Sequence, residues 1–196
     1  MSSLYGPMFL PSTLTTAAEE LLKEFFPMYL AEMELREGYL PGTLKVPKNY
    51  GQRNQYTGNP GEELPKVVVI TPGIIGTPAK TGGNAFRATW RLGIGTLIAA
   101  ETEEESFHLA GIYGTCVMAI VEHHQSIKGV STDTNLLDYS LDDIPIEGQL
   151  QKFRAANLFF ACEIDNMVVK YIGPKYDPVP TGIVEKVVTT IGPQGV

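Results

Sequence analysis

Several groups of residues in this chain have types and spacings that could do chemistry. Gly73-Ile74-Ile75-Gly76-Thr77-Pro78-Ala79-Lys80-Thr81 partly matches the glycine-rich loop that cradles phosphates. That loop needs glycine directly before the lysine, free backbone amides, and a helix after it. Here Ala79 precedes Lys80, Pro78 has no amide, and a strand pattern follows, so the segment reads as a flexible contact loop. His123 and His124 stand together near a helix end. Neighbouring helical residues point about 100° apart, so the pair does not converge on one metal as an i, i+4 pair does. Asp138, Asp142, Asp143 and Glu147 gather in one segment. Two carboxylates side by side could do acid–base work, but a solvated loop explains the same run. Cys116 and Cys162 each sit in an apolar pattern and read as buried, reduced thiols of a cytoplasmic protein. No histidine–serine or histidine–cysteine arrangement follows from spacing. Nothing in this set requires an enzyme, a cofactor or a bound metal.

The elements that must carry these residues centre on residues 86–99, FRATWRLGIGTLIA. Phe86, Ala88, Trp90, Leu92, Ile94 and Ile98 fall on one face, with Thr96 their only polar member. Arg87, Thr89, Arg91, Gly93 and Gly95 fall on the other. This is the period-2 signature of a half-buried strand. At about 3.3 Å per residue it would reach roughly 45 Å, well beyond the usual strand. It must cross the whole domain and curve, or project and pair with another chain, bending at Gly93 and Gly95. Before it, Lys66 to Thr71 reads as a short β-branched strand, followed by a Gly/Pro-rich loop over 72–84. Residues 39–65, with Pro41, Pro47, Pro60 and Pro65, read as a long loop of the functional or mobile kind.

Two helices are expected. Residues 1–14 read as an arm. Thr16-Ala17-Ala18-Glu19 then fits a capping box, and Ala18, Leu21, Leu22, Phe25 and Phe26 recur at helical spacing. Pro27 kinks that helix or restarts it, and Gly38 is a plausible stop. The second helix opens at the capping box Thr102-Glu103-Glu104-Glu105. It buries Phe107, Ala110, Tyr113, Cys116, Val117, Ile120 and Val121, and ends near Gln125. Gly111 and Gly114 weaken it or admit a close neighbour. A short strand near residues 135–141 and a longer one over 153–164 follow, with 167–172 extending it or pairing back. The tail from Gly173 holds one strand-like run, 183–191. This order implies an α+β fold: a mixed, mainly antiparallel sheet with both helices on one face. It divides into an arm (1–14), one domain (15–172) and a Pro/Gly-rich extension (173–196).

Composition fits that picture. The 196 residues are 43% hydrophobic and 19% charged, ordinary for a globular chain. No apolar run reaches the ~18–20 residues of a membrane span. The start, MSSLYGPMFLPSTL, lacks the basic region of a secretory signal. The net charge of −7 argues against a dedicated nucleic-acid binder. It is compatible with a protein that surrounds DNA without gripping it, because duplex DNA is itself densely negative.

The order of short sequence words resembles the tail terminator proteins of long-tailed bacteriophages, especially those of phages infecting actinobacteria. The words are Phe26-Pro27-Met28-Tyr29-Leu30-Ala31-Glu32, then Thr71-Pro72-Gly73 after a Val/Ile strand, then Phe86-Arg87-Ala88-Thr89-Trp90. Leu109-Ala110-Gly111-Ile112-Tyr113-Gly114, Glu122-His123-His124-Gln125-Ser126 and Ala155-Ala156-Asn157-Leu158-Phe159-Phe160 complete the set. Gly114 and Cys116 depart from the alanine-like residues expected in that helix. The resemblance implies a homohexameric ring in the virion neck, assembled in the host cytoplasm. The ring would cap the head-proximal end of the tail tube, stop its growth and meet the head-to-tail connector, or stopper, protein. Genomic DNA would pass through its lumen without sequence-specific binding, with no membrane and no catalytic residues involved.

Contacts with partners are expected in the loops 39–65 and 72–84, the arm and the tail. Ile74 and Ile75 are the specific anchors, as exposed apolar pairs in loops often are; the competing reading tucks them under the sheet. Lys80, Thr81, Arg87 and Arg91 complete the candidate contact set. The nearest rival roles are a head-closure or adaptor protein, or a tube subunit. A small hydrolase built on the acidic loop is the rival from another class. A third reading keeps the fold without the role.

Overall fold

The computed structural model describes residues 10–51, 64–82, 85–145 and 150–168. They form an α+β domain: α1 (Pro11–Glu37), β1 (Asn49–Gly51), β2 (Lys66–Gly82), β3 (Ala85–Ala100), α2 (Glu103–His123), β4 (Asp133–Ile144) and β5 (Lys152–Val168). The sheet order is β1-β2-β3-β5-β4, antiparallel throughout except for the parallel pair β1–β2.

The alternation over 86–99 becomes the middle of this sheet. Ala88, Leu92, Ile94 and Ile98 enter the core with Val67 and Val69 of β2 and Ala156, Leu158, Phe160, Cys162 and Ile164 of β5. Both helices supply the rest of that core, α1 through Leu14, Leu22, Phe26 and Leu30, and α2 through Ala110, Tyr113, Val117 and Ile120. They therefore cover one face, and the opposite, more open face carries Arg91, Phe159 and Glu163, although Val68, Leu97 and Ala155 on that face are buried. Thr96 is fully buried on the helix side, and its hydroxyl has no hydrogen-bond partner. Such a hydroxyl costs about 1–3 kcal/mol of desolvation.

Of the two readings of the long strand, the one that crosses the domain holds, with β2 and β5 paired along its two sides. Several expectations need correction. The loop expected over 72–84 is strand as far as Gly82 and forms a hairpin with β3. Its glycines and prolines sit at register shifts between Ile70 and Gly73 and between Ile75 and Ala79. On a free edge a proline forfeits no ladder bond, and bulges absorb the extra residues. The acidic segment, expected as a loop with a short strand, is the continuous strand β4. The first helix starts at Pro11, so residues 11–14 belong to the domain rather than the arm, and Leu14 is fully buried. Proline at N1 sets the start, and the Thr16 box is not used; Thr15 instead bonds the Pro11 carbonyl and, at 2.9 Å, the Thr71 hydroxyl. The helix runs through Pro27 unbroken. Residues 1–9 of the arm, 52–63, 169–172 and the extension with its run at 183–191 lie outside the described residues.

Other signals hold. Gly38 ends α1 in the left-handed conformation, φ 74°. Thr102 caps α2 by accepting from the Glu105 amide at 3.2 Å. Glu105 reaches back to the Glu101 amide, at 3.4 Å. Cys116 and Cys162 are free and buried, and burial pushes both thiols up to about 12.

Sequence reasoning missed one buried carboxylate. Glu34 accepts hydrogen bonds from the Gly42 amide (2.9 Å) and the Leu44 amide (2.7 Å), which hold its carboxyl below the ordinary glutamate value. Tyr113 donates to the Lys45 carbonyl at 2.6 Å. Together they fasten the start of the 39–48 segment to the two helices.

Candidate interaction surface

The β2–β3 hairpin carries most of the expected contact residues. Beyond β1, which pairs only with Lys66, Val67 and Val68, the free side of β2 has no neighbouring strand among the described residues. Every residue of 74–81 is exposed. This exposed distal stretch of β2 offers unpaired amides and carbonyls to another chain.

Ile74 and Ile75 are 42% and 39% exposed, so neither tucks under the sheet. They do not form one patch either. Ile74 lies opposite Trp90 and Ile75 opposite Thr89, so they point to opposite faces. Lys80 lies opposite Phe86, on the same face as Ile74, and Thr81 is exposed beside it. Arg87 and Arg91 are on the open face and are engaged within the chain. Arg87 makes a two-pronged ion pair with Asp165, which raises its guanidinium pKa. Arg91 lies over the Phe159 ring, 4.2 Å from its centroid. Of the six candidates, the hairpin therefore presents Ile74, Ile75, Lys80 and Thr81 outward, while the two arginines brace the sheet.

The other candidate groups do not converge. Tyr29 OH lies 2.5 Å from His123 Nδ1, and the His124 ring packs 4.0 Å from that of Phe25, so both histidines join the two helices. Asp142 accepts from Ser140 (2.9 Å) and Asn157 (2.6 Å) on the open face. Asp143 turns to the helix side and pairs with Arg154. Glu147 lies outside the described residues. Among the described residues no group of three His, Cys, Asp or Glu could hold a metal ion, and no helix is long and apolar enough to cross a membrane.

A second surface was not foreseen. An open groove of about 690 Å³ runs between the C-terminal half of α1 and the first turns of α2, with Met33, Phe107 and Ile112 among its lining. Phe107, expected in the buried stripe, is 53% exposed here. Glu37, Glu104 and Glu105 also line it, and His108 Nε2 lies 3.5 Å from Glu37. The groove joins residues far apart in sequence. The one signal available in advance was charge: residues 64–100 contain Lys66, Lys80, Arg87 and Arg91 and no carboxylate, whereas 101–105 contain Glu101, Glu103, Glu104 and Glu105 and no cation.

No family model matches the chain, and no curated protein matches it.

Proposed function

We propose that this chain is a structural protein of a phage neck. It forms a ring at the head-proximal end of the tail tube, ends tube growth and joins the tail to the connector. The observation that carries the mating role is the hairpin, whose residues 74–81 are all exposed on an open sheet edge. The assignment to the neck rests on the tail-terminator resemblance.

The physics is that of a heterologous contact. A tube grows because each ring exposes the same edge to the next; a terminator matches the tube on one face and offers an opposite face that tube subunits cannot match. Head-to-tail contacts between copies close into a ring when the rotation permits. Among the described residues the sheet has two unpaired borders for such contacts, the distal part of β2 and the whole of β4. The acidic balance of the chain suits a lumen through which DNA slides without being held.

Electron microscopy of cells infected by phage lacking this protein tests the proposal. Overlong tails are expected. Leaky heads beside normal tails would instead make it a head-closure or adaptor protein, and absence of tails would make it a tube subunit.

A further inference from the structure

The hairpin tip and the α1–α2 groove lie toward opposite ends of one strand. β3 starts at the tip with Ala85 and ends at Ala100, two residues before the N-cap of α2 at Thr102. β2 is paired to β3 along this length, with Ile74 opposite Trp90 and Lys80 opposite Phe86, ten and fourteen residues before Ala100, so a chain cannot seat its own hairpin in its own groove. The ends are also opposite in character. The hairpin face that holds Ile74 and Lys80 is apolar and cationic. The groove is lined by the apolar Met33, Phe107 and Ile112 and carries the exposed carboxylates Glu37, Glu104 and Glu105 at its rim.

We propose that the hairpin of one copy seats in the α1–α2 groove of the next copy, with Ile74 against Phe107 and Ile112, and Lys80 among the rim carboxylates. This deepens the ring reading and rests on it. Charge decides the partner: tip against tip brings cations together, groove against groove brings carboxylates together, and only tip against groove is complementary. A contact between unlike ends is heterologous, the class that builds rings. The groove volume lies within the range that holds a bound group of drug-like size, enough for an isoleucine and the stem of a lysine.

A chain carrying both Thr77→Cys (hairpin) and Thr115→Cys (groove) tests this directly, in purified protein and in assembled particles. Cys116 and Cys162 are buried and do not compete under mild oxidation. The expected result is a ladder of disulfide-linked copies that fades at high salt. Lys80→Glu is expected to weaken the ladder about 3- to 10-fold, and adding Glu104→Lys to restore it. Circular dichroism of each variant separates loss of contact from loss of fold. Association by light scattering without the ladder, or with linkage only in the control pair Thr77→Cys/Asp138→Cys, overturns this contact and leaves the ring reading standing. No association up to about 1 mM protein, with no ladder in particles, overturns both.

Discussion

Replacing Gly111 and Gly114 of α2 by alanine, one at a time, makes two chemically identical changes that the structure separates. Both positions are helix interior, where alanine exceeds glycine by about 0.8–1.0 kcal/mol. A Cβ at Gly111 meets nothing within 4 Å. Gly111→Ala therefore keeps the whole gain, about 1 kcal/mol, worth roughly 2–4 °C in melting temperature for a chain of this size. A Cβ at Gly114 comes within 2.8 Å of the Tyr139 ring and 3.0 Å of the Ala156 Cβ. Tyr139 is 41% exposed and can swing aside, but Ala156 is fully buried in β5 and cannot. Overpacking of this kind costs about 1–3 kcal/mol. Subtracting the propensity gain leaves Gly114→Ala destabilised by about 1 kcal/mol, a gap of about 2 kcal/mol between the variants. Urea denaturation with a shared slope reads that gap directly. Equal stabilisation of both variants would refute the close approach of α2 to β4 and β5, and with it the layer geometry that sets the groove.

Further outcomes follow from the same contacts. Thr96→Val keeps the shape and removes the unpartnered hydroxyl, and is expected to raise stability by about 1 kcal/mol in denaturant titration. Glu34→Gln is expected to lower the urea midpoint at neutral pH. Because the folded carboxyl titrates below its ordinary value, its contribution is complete above the unfolded value. It is lost as pH falls through the folded one, so the gap between wild type and variant should start to narrow below the ordinary glutamate value of about 4.3 and close only at lower pH. The native protein should resist a thiol reagent at pH 8 that labels both cysteines in denaturant, since burial holds each thiol at about 12; rapid native labelling would contradict their placement. Ile74→Asp with Ile75→Asp should change stability by no more than about 0.5 kcal/mol, as exposed positions do, yet abolish tail attachment. Intact attachment would remove these residues from the interface.

The helices and the sheet core were legible because their periods were clean. The alternation from Phe86 to Ile98 and from Ala156 to Ile164, and the spacing of Ala110, Tyr113, Val117 and Ile120, report burial directly. What failed had local causes. Pro72, Gly73, Gly76 and Pro78 look like loop residues, yet an edge strand with bulges accommodates all four. Thr16 was a sound cap signal that the earlier proline pre-empted. Isoleucines 74 and 75 were expected together because a loop allows it; a strand sends them to opposite faces. The pairing of β1 with β2 rests on three residues and leaves no period to read. The groove unites Met33 with Phe107, which only the packing of α1 on α2 brings about, although Glu104 and Glu105 of its rim belong to a carboxylate run visible in the sequence.

The proposed role is the mating of the hairpin edge with other protein chains at the end of a tail tube. Cryo-electron microscopy of the assembled neck tests it most directly. The account expects a ring of this protein between tube and connector, with residues 74–81 of each copy covered by a neighbour. A neck in which those residues face solvent, or which lacks this protein, would contradict it.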